Sequence, residues 1–207
     1  MHLLGESALG VLILGLLGTL VAVKRLATGS VLDERPDGRL LVQVVNLFNL
    51  CFLLVVNPAA AALLLAGRLE MWDSTRVEVP WRWLRAGVET VGIGSYLAGC
   101  GLMMWALLTL RSRYQLGGVA PRARDALVVD GPYALVRHPM YAAALAMALG
   151  LALALQSPVC LGVFAVYVVM LLRLMPLEEA GLRRAYGEAY EAYARAVPRL
   201  MPWRGRT

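Results

Sequence analysis

An all-α polytopic membrane fold is predicted, with about five transmembrane helices including a C-terminal helical hairpin, followed by an amphipathic cytoplasmic helix. Three features of the 207-residue chain predict it. The composition is 59% hydrophobic and 16% charged, where a soluble domain carries about a quarter charged residues. Mean hydropathy is +0.64. Apolar runs occupy residues 7–23, 40–66, 88–110 and 141–172, and only Gln156-Ser157-Pro158 interrupts the last.

A bilayer core about 30 Å thick is crossed by around 20 helical residues. The first three runs therefore each predict one span, and the fourth predicts a hairpin turning at Ser157-Pro158. The first run follows the weakly charged start Met1-His2-Leu3-Leu4-Gly5-Glu6 and precedes Lys24-Arg25. A signal peptide has the reverse charge order and a small-residue cleavage site, so a retained span is expected.

In the second span Gln43, Asn46, Asn49 and Asn57 fall within an arc of about 120° at helical periodicity. Interhelical hydrogen bonding, worth roughly 0.6 kcal/mol per contact in membranes, and cavity lining both account for such a stripe. Pro58 removes a backbone donor and predicts a kink. In the third span Gly92, Ser95 and Gly99 form a small-residue face that lets another helix approach closely. Met71-Trp72 and Trp81-Arg82-Trp83, between these spans, read as interfacial aromatic anchors.

After the hairpin, Leu182, Tyr186, Tyr190, Tyr193 and Val197 recur at helical spacing, with Arg184, Glu188, Glu191 and Arg195 on other faces. This predicts an amphipathic interfacial helix over residues 177–197. The two prolines of Val197-Pro198-Arg199-Leu200-Met201-Pro202-Trp203 then favour an extended end.

With five spans, Lys24, Arg25, Arg35 and Arg39, the five arginines from Arg111 to Arg137 and the seven from Arg173 to Arg206 share one side. Arg68, Arg76, Arg82 and Arg85 take the other. The positive-inside rule predicts a cytoplasmic C-terminus, and the Ala- and Arg-rich composition with short loops suggests a prokaryotic cytoplasmic membrane. The net charge of +6 is thus mostly topology and attraction to anionic membrane lipids. Nucleic-acid binding is not expected, because the arginines are dispersed among acids without a recognition motif. Cys51, Cys100 and Cys160 stand singly in apolar runs, which predicts buried thiols and neither zinc nor a disulfide framework.

Chemistry is expected where polar groups meet the hairpin. Gly131-Pro132-Tyr133-Ala134-Leu135-Val136-Arg137-His138-Pro139-Met140-Tyr141 holds one of the two histidines, beside an arginine and between two tyrosines. The hairpin returns the chain to this side at Glu178-Glu179. A carboxylate near a membrane boundary needs a partner, and His138, Arg137 and Arg173 are the candidates. Both charge signs and aromatic rings would converge there.

These elements resemble the isoprenylcysteine carboxyl methyltransferase family and its phospholipid N-methyltransferase relatives. The resemblance covers residues 127–203. It rests on Gly131-x-Tyr133-x-x-x-Arg137-His138-Pro139-x-Tyr141, on Glu178-Glu179-x-x-Leu182-x-x-x-Tyr186-Gly187-x-x-Tyr190-x-x-Tyr193, and on Val197-Pro198-Arg199-Leu200-Met201-Pro202. Departures are Ala142-Ala143-Ala144 in place of a glycine-bearing step, Leu174 where the family has an arginine that here stands at Arg173, and Asp125 in place of a histidine.

The apolar runs predict one integral membrane domain over residues 1–207 with three spans in 1–110, and the resemblance places a cofactor-binding region in 111–207. It implies S-adenosylmethionine as cofactor, entering from the cytoplasm, and a lipophilic or lipid-linked acceptor. Implied cofactor contacts are the backbone at Leu127 and Val128, with Tyr133, Arg137, His138, Pro139, Met140, Tyr141 and Glu178. A sulfonium cation favours aromatic faces and a nearby carboxylate, and a carboxylate favours Arg137 or His138 as donor. Arg173 is the candidate for orienting an anionic acceptor, and Glu178, Glu179 or His138 for a base toward an amine. Prenylated cysteine, phospholipid amine, a small thiol and another isoprenoid acid are all compatible acceptors. An NADPH-dependent membrane sterol or steroid reductase, which resembles the same hairpin and C-terminal helix, and a non-catalytic lipid- or partner-binding membrane protein are the alternatives.

Overall fold

A computed structural model describes residues 5–29, 40–71, 80–111 and 126–202. The expected positions Trp72, Asp125 and Trp203, and the arginines at 35, 39, 76, 113, 122, 124, 204 and 206, lie outside the described residues. All regular elements in the described residues are helical. In chain order they are α1 (Glu6–Thr28), α2 (Leu40–Cys51), a π-helical segment (Phe52–Val56), α3 (Asn57–Leu65), a short turn (Leu69–Met71), α4 (Arg82–Leu110), a 3₁₀ turn (Gly131–Ala134), α5 (Pro139–Leu155), α6 (Pro158–Tyr186) and α7 (Glu188–Ala196).

Four helical stretches are long and apolar enough to cross a membrane, namely Glu6–Thr28, Leu40–Leu65, Arg82–Leu110 and Pro158–Tyr186, and Pro139–Leu155 is a shorter apolar helix. The chain is a multi-pass integral membrane protein. The hairpin turns where the sequence predicts: Gln156 takes a left-handed conformation, the Ser157 side chain accepts from the Cys160 N–H at 3.1 Å, and Pro158 occupies the first turn of α6, where its missing N–H costs no helical bond.

The second span crosses as a helix with a π-helical insertion, and Pro58 explains where. Its ring nitrogen cannot donate to the Leu54 carbonyl, and one residue earlier the Asn57 N–H reaches back five residues to the Phe52 carbonyl. The Asn57 side chain donates to that same carbonyl at 2.6 Å and accepts from the Tyr96 hydroxyl of α4 at 2.7 Å. Asn49, before the insertion, accepts from Tyr167 of α6. The stripe thus divides between two neighbouring helices, because wider π winding changes the angular phase between Asn49 and Asn57. Both asparagines act as interhelical glue.

The closest helix pair is α4 with α5. A Cβ on Gly92 would lie 2.5 Å from the Ala154 backbone nitrogen, one on Gly99 would lie 2.8 Å from the Ala143 carbonyl, and one on Gly150 would strike the Tyr96 backbone. Ser95 donates to the Ala146 carbonyl at 2.9 Å. This contact confirms the predicted small-residue face.

The C-terminal part differs from the expected single amphipathic helix over residues 177–197. Helix α6 has 29 residues and runs through Pro176 to Tyr186, at about 1.5 Å per residue longer than the bilayer core. Gly187, at φ 53°, breaks it from α7. Tyr190 and Tyr193 therefore face the site from a separate helix rather than continuing the face of Leu182 and Tyr186. Trp81 and Trp83 stack with ring centroids 6.3 Å apart and are exposed.

Candidate functional site

The loop that carries the site begins with a turn that only glycine fits. Gly131 has φ +57°, and a Cβ there would meet Thr109 Oγ1 at 2.7 Å. Backbone bonds from Tyr133 N–H to the Asp130 carbonyl and from Leu135 and Val136 N–H to the Pro132 carbonyl, all 3.1 Å, close the turn. His138 then takes the non-helical position before α5, with Pro139 next, and makes no capping bond with its side chain. Its ring is thereby left for other partners.

The C-terminal segment fastens this loop from outside. The Arg137 N–H donates to the Pro198 carbonyl at 2.8 Å and the His138 N–H to the Arg199 carbonyl at 3.0 Å. The Tyr193 hydroxyl donates to the Tyr133 carbonyl at 2.7 Å. The Val197-Pro198-Arg199 motif is thus structurally joined to the Arg137-His138 motif.

The end of α6 supplies the carboxylates. Glu179 is fully buried, and Arg199 grips it with both arms, Nε to Oε1 at 3.0 Å and Nη2 to Oε2 at 2.9 Å. Arg137 Nη2 lies 3.3 Å from Oε1 and Arg183 Nη2 3.6 Å from Oε2. His138 stands between the two acids, with Nε2 3.4 Å from Glu179 Oε1 and Nδ1 3.5 Å from Glu178 Oε2. An imidazolium can donate to both carboxylates, and a neutral ring to one.

Aromatic rings enclose the cluster. Tyr141 stacks on His138 with centroids 5.5 Å apart and planes at 15°. Tyr190, buried, meets Tyr193 edge-on at 6.0 Å and lies under the Arg183 guanidinium at 5.8 Å. Burial first, and then the Glu179 carboxylate, push the Tyr190 phenol up to about 12, so it stays a neutral donor. Burial and Tyr190 also raise Tyr193, and the hydrogen bonds to Glu179 raise Arg199.

Arg137, His138, Tyr141, Glu178 and Glu179 are therefore brought together. Tyr133 sits at the adjoining turn through its carbonyl. Leu127 and Val128 are half-buried in irregular chain just before it, and neither makes a backbone hydrogen bond among the described residues. Pro139 is buried at the start of α5, and Met140 packs into the core formed with α1, α3 and α4. Arg173 is exposed; five and six residues before the glutamates, it points off their face of α6. Arg183 and Arg199 stand around Glu179 instead. Arg183 was legible as the fourth residue after Glu179, one helical turn on. Arg199 has no such signal, because its contact depends on the path of the C-terminal segment.

The chemical capacity of this site is defined. Glu179 is enclosed by guanidinium groups. Glu178, 18% exposed on its side chain, is the more accessible carboxylate, and it can face a cationic ligand beside the Tyr141 ring. Arg137 can face an anionic group, since its buried Nε has no hydrogen-bond acceptor.

The profile of the family described as phospholipid methyltransferase matches residues 88–189, which include α5, α6, the Arg137-His138 loop and both glutamates. Residues 88–189 are thus similar to the phospholipid methyltransferase family. This family and its isoprenylcysteine methyltransferase relatives are the group that the sequence motifs resemble. The chain is 30% identical over 118 residues to the Protein-S-isoprenylcysteine O-methyltransferase B of Arabidopsis thaliana, covering 56% of this chain and 60% of the relative. It is 31% identical over 150 residues to the Cobalt-zinc-cadmium resistance protein CzcN of Cupriavidus metallidurans, covering 72% and 61%. Against the Nickel-cobalt-cadmium resistance protein NccN of Alcaligenes xylosoxydans xylosoxydans the identity is 27% over 150 residues, covering 72% and 62%. The matches thus span about three fifths of the length of these relatives.

Proposed function

We propose that this protein transfers a methyl group from S-adenosylmethionine to a lipophilic acceptor that approaches from the membrane. The observation that carries the reading is His138 held between Glu178 and Glu179 where the α5–α6 hairpin closes. Polar binding groups thereby meet an otherwise apolar helical body. The residues present fit the cofactor: Leu127 and Val128 make no backbone–backbone hydrogen bond among the described residues, Arg137 has a buried donor without an acceptor, and Glu178 and Tyr141 offer a carboxylate and an aromatic face.

When bound, S-adenosylmethionine supplies an electrophilic methyl group on a sulfonium centre. Glu178 and the Tyr141 ring would hold the positive charge, since a cation over an aromatic face contributes about 0.5–2 kcal/mol. Arg137 would hold the carboxylate end through charge-assisted hydrogen bonds. His138, tied to Glu178, sets the position of that carboxylate. Glu179, enclosed by arginines, serves as the anchor of the site and Glu178 as the group facing ligand. An amine acceptor would give its proton to Glu178 or His138, while a carboxylate or thiolate needs orientation and exclusion of water. The charge distribution of the loops supports cofactor entry from the cytoplasm.

Incubation of the detergent-solubilised protein with methyl-labelled S-adenosylmethionine and fractionated membrane lipids, prenylated cysteine analogues and hydrophobic thiols tests the reading. Label appearing in one acceptor class, and lost with Glu178→Gln, supports it. Oxidation of NADPH in a parallel assay with no methyl transfer would favour a reductase instead.

A further inference from the structure

We infer that Arg199 is a positioning residue for His138, which makes the C-terminal segment part of the functional site and not only its cover. This inference rests on the methyltransferase reading. Arg199 holds the histidine twice. Its backbone carbonyl accepts the His138 N–H at 3.0 Å, which fixes the main chain just before α5. Its guanidinium binds both oxygens of Glu179 at 3.0 and 2.9 Å, and Oε1 faces His138 Nε2 at 3.4 Å.

A two-armed contact defines the plane of a carboxylate as well as its distance, which a single contact does not. Arg137 touches Glu179 through one nitrogen at 3.3 Å, and Arg183 divides its guanidinium between Glu179 at 3.6 Å and Glu191 at 2.8 Å. The orientation of Glu179 is therefore set chiefly by Arg199. With Oε1 fixed on one edge of the imidazole and Glu178 Oε2 on the other at 3.5 Å, the ring has one orientation, parallel to Tyr141. Glu178, which faces ligand, is in turn held by that ring. Arg199 thus acts on the ligand site through two intermediates and touches no reacting atom.

The test uses the full chain in detergent with Arg199→Gln, Arg199→Lys and Tyr193→Phe. The last loosens the same segment by removing the hydrogen bond to Tyr133 and leaves the Glu179 contacts in place. Isotope-labelled histidine gives two ring signals, from His2 and His138, which His138→Ala assigns. We expect Arg199→Gln to shift and broaden the His138 signal and to weaken S-adenosylhomocysteine binding by roughly tenfold to a hundredfold. Arg199→Lys should restore part of the affinity, and Tyr193→Phe should leave the His138 signal in place at equal loss of thermal stability.

A His138 signal unmoved in Arg199→Gln, or moved equally by Tyr193→Phe, would overturn the positioning role. If Arg199→Gln does not fold, Arg199→Lys carries the comparison, and an unmoved ring with unchanged affinity overturns the role there too. Should wild type bind no S-adenosylhomocysteine, the methyltransferase reading fails, while the His138 signal still decides whether Arg199 holds the ring.

Discussion

His138 Nε2 and Glu179 Oε1 lie 3.4 Å apart although 41 residues separate them in sequence. Two helical arms of similar length, α5 with 17 residues and the first part of α6, leave the site side of the hairpin and return to it. At about 1.5 Å per residue the α5 arm is about 25 Å long, and the turn at Gln156-Ser157 determines where Glu178 and Glu179 arrive. The fold makes the site by making the hairpin.

Replacing Glu179 should destabilise the protein more than replacing Glu178. Glu179→Gln leaves Arg137, only 11% exposed on its side chain, facing a neutral amide, and removing one partner of a buried ion pair typically costs several kcal/mol. Because Arg183 and Arg199 are 41% and 49% exposed on their side chains and remain hydrated, we expect about 2–4 kcal/mol for Glu179. Glu178→Gln should cost under about 1 kcal/mol. Thermal melts of both variants in one detergent give the comparison.

Tyr190→Phe should be neutral or slightly stabilising at pH 7. The Tyr190 hydroxyl is buried without a hydrogen-bond partner, and removing such a group removes a desolvation cost. The pH dependence has a definite sign. With the folded value at about 12 and the ordinary value at 10.0, the unfolded chain loses this proton first as pH rises, so the Tyr190 contribution to stability falls from about pH 10 upward. Melting curves at pH 8 and pH 11 should show a smaller alkaline loss in Tyr190→Phe than in wild type.

Gly150→Ala should lower stability by about 3 kcal/mol, at the upper end for overpacking. The added methyl meets Tyr96 and Gly92 backbone atoms, which cannot turn aside as a side chain would. Gly94→Ala on the same α4 helix, where nothing stands within 4 Å of the added Cβ, is the matched control and should melt at or above wild type. Equal behaviour of the two would contradict the α4–α5 contact.

Tyr96→Phe and Asn57→Ala should couple. Their hydrogen bond of 2.7 Å is buried between helices, so a double-mutant cycle should return about 0.6–1.7 kcal/mol, the range found for polar pairs in membranes. A coupling of zero would remove Asn57 from the glue holding the second span to α4.

What the sequence made legible follows from local chemistry. Ser157-Pro158 joins a capping hydroxyl to a proline suited to the first turn of a helix, and Gly92, Ser95 and Gly99 form a small-residue face that lets another helix approach closely. The convergence of Arg137 and His138 with the two glutamates followed from the hairpin. Hidden features depend on partners remote in sequence. Asn49 and Asn57 share a face only on regular helical winding, and the π segment beside Pro58 redirects them toward Tyr167 and Tyr96. Helix α6 continues through Pro176, and Gly187 further along makes the break. Arg199 stood between prolines with no spacing to read, and only the path of residues 197–200 beside the His138 loop brings it to Glu179. Arg173, nearer in sequence, is turned away by helical phase.

Cofactor binding beside Glu178 is tested most directly by calorimetric titration of S-adenosylhomocysteine into wild type and Glu178→Gln, each shown to be folded by its melting curve. Wild type should bind, with an affinity about tenfold or more weaker in Glu178→Gln and Arg173→Ala close to wild type. Folded wild type that binds no S-adenosylhomocysteine, or a Glu178→Gln variant that binds it as tightly as wild type, would rule out Glu178 as the group facing the cofactor.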